Sequence, residues 1–168
     1  MNNPPINLQN AVNNLLKDFE PADNILVACS GGADSLALAW TSQVVTKRIG
    51  LNLIAVIIDH QLIKESSQVA QDAKKKCEDF GVEKVVIKQI EVKDDNEGLE
   101  AAARKARYEA FEELVNEFNA KAVLLGHTQD DQAETMLMRL TRGSGAKSLS
   151  AMKEVSGKYL RPFLYIRK

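Results

Sequence analysis

Leu8, Val12, Leu15, Leu16 and Phe19 recur every three or four residues, which predicts an amphipathic helix within residues 1–20, closed off by Pro21. Ile25 to Ala28 is short and apolar throughout, as a buried strand is. Helical spacing returns over residues 35–48, and Leu51 to Ile58 is a second apolar strand that ends in Asp59-His60. A helix over about residues 66–80 stops at Gly81, where a C-terminal glycine belongs. Val85 to Ile90 then reads as strand, 97–119 as a long helix, Lys121 to Leu125 as strand and 129–141 as helix. Gly143-Ser144-Gly145 breaks the pattern. Beyond it only Tyr159 to Leu164 looks like a strand, pushed to a sheet edge by Pro162.

Strands that alternate with helices, and that are apolar on both faces, predict an α/β fold: an open, mainly parallel twisted sheet with helices on both faces, Rossmann-like. Ligands of such sheets bind beyond the carboxyl ends of the strands. A chain of 168 residues, 45% hydrophobic and 27% charged, fits a single domain that buries roughly 70% of its extended surface. Cys29 and Cys77 form no C-x-x-C pair, so neither a zinc knuckle nor a redox motif is indicated, and Cys29 reads as a buried strand residue. No basic leader and no run of about 18 apolar residues is visible, so the sequence reads as cytoplasmic, with no membrane partner.

Charge is unevenly spread. The net value is -1, yet residues 139–168 carry eight basic side chains against the single acid Glu154. A basic end, flexible over residues 143–168, on an acidic body suits a polyanion partner, and a solvated tail is the plainer alternative.

Three segments at predicted strand ends carry chemistry. Ser30-Gly31-Gly32-Ala33-Asp34-Ser35 lies between a strand and a helix, where glycines let backbone N–H groups approach an anion. It has no lysine, so it is not the G-x-x-x-x-G-K-[ST] loop, and its spacing is not G-x-G-x-x-G. A simple turn with Asp34 as helix N-cap remains open. Gly126-His127-Thr128-Gln129-Asp130-Asp131-Gln132-Ala133-Glu134 places acids in a first helical turn, suited to magnesium beside phosphate or merely to the helix dipole. His60 and His127 both follow apolar strands, and either could sit near phosphate or carry a proton. Arg104 and Arg107, spaced i,i+3, could clamp an anion or pair on the surface. Arg139 and Arg142, with Lys147 beyond, flank the Gly-Ser-Gly break as a basic lid that could meet RNA.

Taken together these residues resemble the PP-loop ATP pyrophosphatases, whose hallmark Ser-Gly-Gly-x-Asp-Ser is matched by Ser30 to Ser35. Within them the chain is similar to the tRNA(Ile)-lysidine synthetase family. That likeness is carried by Gly126 to Thr135, by Arg139 to Gly145 and by Ala103-Arg104-x-x-Arg107-Tyr108. It implies an adenine nucleotide alpha hydrolase-like fold and a carbon-nitrogen ligase. ATP would adenylate the C2 oxygen of the wobble cytidine of tRNA(Ile) with a CAU anticodon, and L-lysine would then displace AMP. It assigns Ser30, Gly31, Gly32, Ala33, Asp34, Ser35, Asp59 and His60 to the nucleotide, and Asp34, Asp130 and Asp131 to magnesium. His127, Arg104 and Arg107 fall to the activated nucleotide or the lysine. It also implies that residues 1–168 are one catalytic domain lacking the family's C-terminal tRNA-binding domains. The family's Asp-His-Gly-Leu-Arg is here Asp59-His60-Gln61-Leu62-Ile63, without the glycine and the arginine. Alternatives are a 2-thiocytidine synthetase, expected to use cysteine pairs, and an ATP-binding fragment without turnover. Oligomeric state is not legible.

Overall fold

The computed structural model describes residues 3–61, 66–92, 98–141 and 152–167. Each predicted apolar run up to Leu125 becomes a parallel strand: β1 (Asn24–Ala28), β2 (Asn52–Asp59), β3 (Lys84–Gln89) and β4 (Ala120–Leu124). The helices are α1 (Ile6–Leu16), α2 (Ala33–Ile49), α3 (Ser66–Asp79), α4 (Leu99–Glu117) and α5 (Gln129–Thr141). Two short strands, β5 (Val155–Ser156) and β6 (Tyr159–Leu160), complete a six-stranded sheet in the order β3-β2-β1-β4-β6-β5.

Strand periodicity divides the core. Ile25, Val27, Leu53, Ala55 and Ile57 point to one face, where they pack with Val12 and Leu16 of α1, Leu38 of α2 and Ala73 of α3. Leu26, Ile54 and Val56 point to the other, against Phe111, Leu114 and Val115 of α4. Both faces are therefore covered, as continuous apolar strands require. The order runs from β1 out to β3, then returns to place β4 on the other side of β1. That reversal makes the β1 and β4 carboxyl ends the switch point at which a crevice opens.

Three expectations change. Helix α1 begins only after Pro4-Pro5, which lack the donors a helix interior needs, and ends at Leu16, short of Phe19 and Pro21. The segment expected as an edge strand at 159–164 pairs only over Tyr159–Leu160, and it lies inside the sheet, parallel to β4, with β5 as the actual edge. Gly157, at φ 58°, turns β5 into β6, and Pro162, with no N–H, ends the ladder just after Arg161 donates to the Glu154 carbonyl at 2.9 Å. The basic end is likewise no loose tail over 152–167. Leu160, Phe163 and Leu164 are buried, and Lys158 pairs with Glu112 at 2.7 Å while Tyr159 donates to the same carboxylate at 2.5 Å.

Candidate functional site

The loop after β1 is built to leave a helix end open. Cys29 still pairs its N–H with the Val56 carbonyl at 2.9 Å, and Gly31 then takes φ 83°, a left-handed turn that suits glycine. Gly32, with no side chain to offer, is the N-cap of α2, so Asp34 lies in the first turn and is not the cap. The N-cap alternative for Asp34 is thereby overturned. Ser35 shapes the loop: its hydroxyl donates to the Gly32 carbonyl at 2.9 Å and accepts from the Ser30 N–H at 3.1 Å. First-turn N–H groups of α2, without a side-chain cap, are an anion site with a favourable dipole.

The turn after β4 does the opposite. Asp131 reaches back to accept from the Thr128 N–H at 2.7 Å and the Thr128 hydroxyl at 2.9 Å, the carboxylate half of a capping box that holds Asp131 against the residue before α5. Gly126 brings this turn against the other: a Cβ there would lie 3.1 Å from Ser35 Cα and 3.3 Å from Ser35 N. Any other residue would press its Cβ on Ser35 backbone, which would have to give by a few tenths of an ångström.

Between the two turns and α4 lies a cavity of about 400 Å³, the size of a small-ligand site. Ser30, Gly32, Asp34 and Ser35 line one side, Gly126, His127 and Asp131 another, and His60, Arg104, Arg107 and Tyr108 close the far wall. Residues expected at a shared site from three separated motifs thus meet in one space. Others do not. Gly31 turns toward α3, where a Cβ would meet Ala73 at 3.4 Å. Ala33 and the exposed Asp130 stand outside the lining. Asp59 is buried away from the cavity and holds the next loop down, accepting from the Gln61 N–H at 3.0 Å and the Ser67 hydroxyl at 3.1 Å. Burial alone would raise its pKa, but these bonds, with others from Ser66 and Gln89, outweigh burial and lower it. Arg139 is on α5, its side chain undescribed, and Arg142 and Lys147 lie outside the described residues.

The basic wall is electrostatically tense. Arg107 donates to His60 Nε2 at 3.2 and 3.4 Å, which fixes that imidazole as a neutral acceptor. Burial first, then Arg107, lower the His60 pKa; burial, then Arg161, lower that of His127. Burial and Arg104 lower Arg107 as well. Both imidazoles leave a buried Nδ1 without a protein partner. Arg161 was missed in the sequence: buried and held by the Lys153 carbonyl at 3.0 Å, it lies outside the cavity lining but its charge lowers the His127 pKa. The available signal was an arginine inside the apolar run Leu160 to Leu164. Tyr108, seen only as part of a motif, faces the cavity and packs edge-on against Phe111 and Tyr159.

Among the described residues no three His, Cys, Asp or Glu side chains gather to enclose a metal on their own. Magnesium suits the site nonetheless, because it takes one or two carboxylates plus phosphate oxygens and water, and Asp34 and Asp131 both face the cavity. Asp130 drops out of that set. No helix among the described residues is long and apolar enough to cross a membrane.

Comparison with known proteins agrees with this geometry. A family model described as PP-loop domain matches residues 4–168. The tRNA(Ile)-lysidine synthase of Thermobifida fusca (strain YX) is 48% identical over 162 residues, 96% of this chain and 50% of the relative. That of Streptomyces coelicolor is 46% identical over 145 residues, 84% of this chain and 41% of the relative. The chain thus spans half or less of the length of these relatives. A solved structure, the U34-tRNA thiolase NcsA from Methanococcus maripaludis with its [4Fe-4S] cluster, superposes with a TM-score of 0.74 at 21% identity, over 96% of this chain and 59% of that one, a likeness of fold. With the family match spanning nearly every residue, and an uncapped glycine loop at the switch point of a parallel sheet, this chain belongs to the ATP-binding PP-loop domain family.

Proposed function

We propose that this chain is the catalytic domain of a tRNA(Ile)-lysidine synthase, acting with tRNA in the cytoplasm. The observation that carries the reading is the cavity itself: an uncapped α2 N-terminus with Asp34 on one side, Asp131 and His127 from the turn after β4 on another, and Arg104, Arg107 and His60 on the far wall. The relatives named as lysidine synthases supply the substrate class.

ATP phosphates would bind at the first turn of α2 and at Ser30 and Ser35. Asp34 and Asp131 would hold magnesium, which would supply charge neutralisation for the leaving pyrophosphate. Fixed N–H groups align the phosphate and stabilise developing charge without reorganising. The C2 oxygen of an unpaired anticodon cytidine attacks the α-phosphorus, and pyrophosphate leaves. A loop base suits this because it is already unstacked. The lysine amine then attacks C2 and AMP leaves. His127, kept neutral, accepts the proton that the amine must lose. Arg104 and Arg107 hold the adenylate or the lysine carboxylate.

The test is release of pyrophosphate and AMP by the chain from ATP, L-lysine and unmodified tRNA(Ile) bearing a CAU anticodon, with lysidine detected by nucleoside mass spectrometry. Turnover that requires all three substrates is expected. ATP binding without pyrophosphate, even at high tRNA concentration, would leave a nucleotide-binding module and overturn the enzyme reading.

A further inference from the structure

Both guanidinium groups of the cavity's basic wall rest on neutral partners. Arg104 lies over the Tyr108 ring, 5.2 Å from its centroid. Arg107, one turn further along α4, donates from Nε and Nη2 to a single acceptor, His60 Nε2, at 3.4 and 3.2 Å. A carboxylate in the place of either partner would cancel a charge. An aromatic ring and an imidazole hold the side chains and leave the wall positive.

The backbone presents His60 firmly. Its neighbour Asp59 gives its carbonyl to the Ile90 N–H at 2.9 Å and its carboxylate to the Gln61 N–H and the Ser67 hydroxyl, so the chain is tied on both sides of the imidazole. A neutral histidine that accepts at Nε2 carries its proton on Nδ1. Burial first, then the Arg107 charge, lower the His60 pKa against the opposing pull of Asp59, which keeps the acceptor available at neutral pH. An arginine has five N–H donors, and the imidazole takes only the Nε hydrogen and one on Nη2, the side-on edge of the group. The end-on edge, Nη1 and the outer hydrogen of Nη2, is the one shaped for two parallel bonds to an oxyanion.

We propose that His60 is a positioning residue for Arg107: by taking the side-on edge of the guanidinium, it leaves the end-on edge set in the cavity wall as a fork for a substrate oxyanion. This role rests on Arg107 holding the adenylate phosphate or the lysine carboxylate. A fork fixed in advance loses little side-chain entropy when the oxyanion arrives, and its donors need not reorient. Histidine suits the task because it offers an acceptor without a negative charge that would compete for the fork.

Nitrogen-15 NMR of the unaltered chain should show His60 neutral, its proton on Nδ1 and its Nε2 accepting a hydrogen bond. Calorimetry then follows ATP with magnesium, and L-lysine added to the ATP-loaded chain, in His60→Phe, His60→Gln and Arg107→Leu. Arg107→Leu should weaken whichever ligand it holds by at least about tenfold, which tells phosphate from carboxylate. His60→Phe keeps a ring but no acceptor, and should weaken that same ligand by about tenfold while sparing the other. His60→Gln sets a carbonyl oxygen near the place of Nε2 and should recover most of the loss, although it fills the space less well than phenylalanine. A His60 proton on Nε2, or an imidazolium at neutral pH, overturns the proposal. So does an equal loss in His60→Gln and His60→Phe, or no loss in either while Arg107→Leu binds weakly. Normal binding of both ligands by Arg107→Leu overturns instead the reading of Arg107 as the oxyanion holder. If His60→Phe fails to fold, the tautomer in the unaltered chain decides.

Discussion

The turns after β1 and β4 are neighbours with similar roles in the chain, each carrying a strand into a helix, yet they treat the helix end in opposite ways. At α2 the cap residue is Gly32, which gives the first-turn N–H groups nothing. At α5 Asp131 and Thr128 satisfy each other and the backbone. The difference separates two tasks: a glycine-capped N-terminus receives an anion, and a turn whose N-cap residue is tied to Asp131 holds that carboxylate still while it faces the same cavity. The β1 end supplies the positive field together with Asp34, and the β4 end supplies a second carboxylate held in place by Thr128.

The contact between the two turns is where that division is most easily broken. Gly126→Val drives a branched side chain into Ser35 backbone that a Cβ alone would already approach to 3.1 Å. It should cost about 1–3 kcal/mol of stability, read by urea unfolding, and abolish ATP binding by calorimetry. Removing the acid at the capped end is milder. Asp131→Ala should lose about 1 kcal/mol through the missing cap and weaken magnesium-dependent ATP binding by at least tenfold, whereas Asp130→Ala, outside the cavity, should leave binding unchanged. Equal losses in the two variants would erase the distinction between cap and bystander.

Acid sharpens the picture further. His60 and His127 both have lowered pKa values in the fold, so as pH falls below their ordinary 6.5 the unfolded chain takes up protons first. Stability should therefore decline from about pH 6.5 downward, and His127→Gln should flatten that limb of a stability profile measured by urea unfolding. Asp59 and Glu112, both lowered, add a separate loss in the carboxylate range. The smallest effect is a gain. Gln61 is held at φ 52° while its N–H bonds Asp59, so Gln61→Gly should relieve strain and stabilise by roughly 0.5–1 kcal/mol, visible as a raised thermal midpoint.

That last site shows what a sequence makes legible. The missing glycine of Asp59-His60-Gln61 was visible as a departure, but its meaning required the backbone angle. Apolar runs flanked by helical spacing defined four parallel strands, because a sheet covered on both faces leaves no polar alternation to confuse them. Strand β6 was legible within Tyr159 to Leu164, though too long and placed at an edge, whereas β5 escaped since a two-residue strand has no periodicity to read. Among site residues, those on backbone turns were legible: Ser30, Gly32, Ser35 and Gly126 owe their positions to local geometry. Asp59 and Asp130 looked equivalent to Asp34 and Asp131 because a motif gives spacing and not direction. Which carboxylate faces the cavity depends on hydrogen bonds to Ser67 and Thr128. Arg161 owes its place to tertiary packing alone.

The strand inserted beside β4 has a bearing on how the chain comes off the ribosome. Val123 and Leu125 donate to the Lys158 and Leu160 carbonyls, so the outer rim of β4 has no partner until the β5–β6 hairpin has been synthesised. Until then a growing polypeptide carries an unpaired apolar ladder of the kind that recruits other chains. Translation pauses or chaperone contacts over that interval would shield it, and emergence of residues 155–160 is the event that covers this rim of β4.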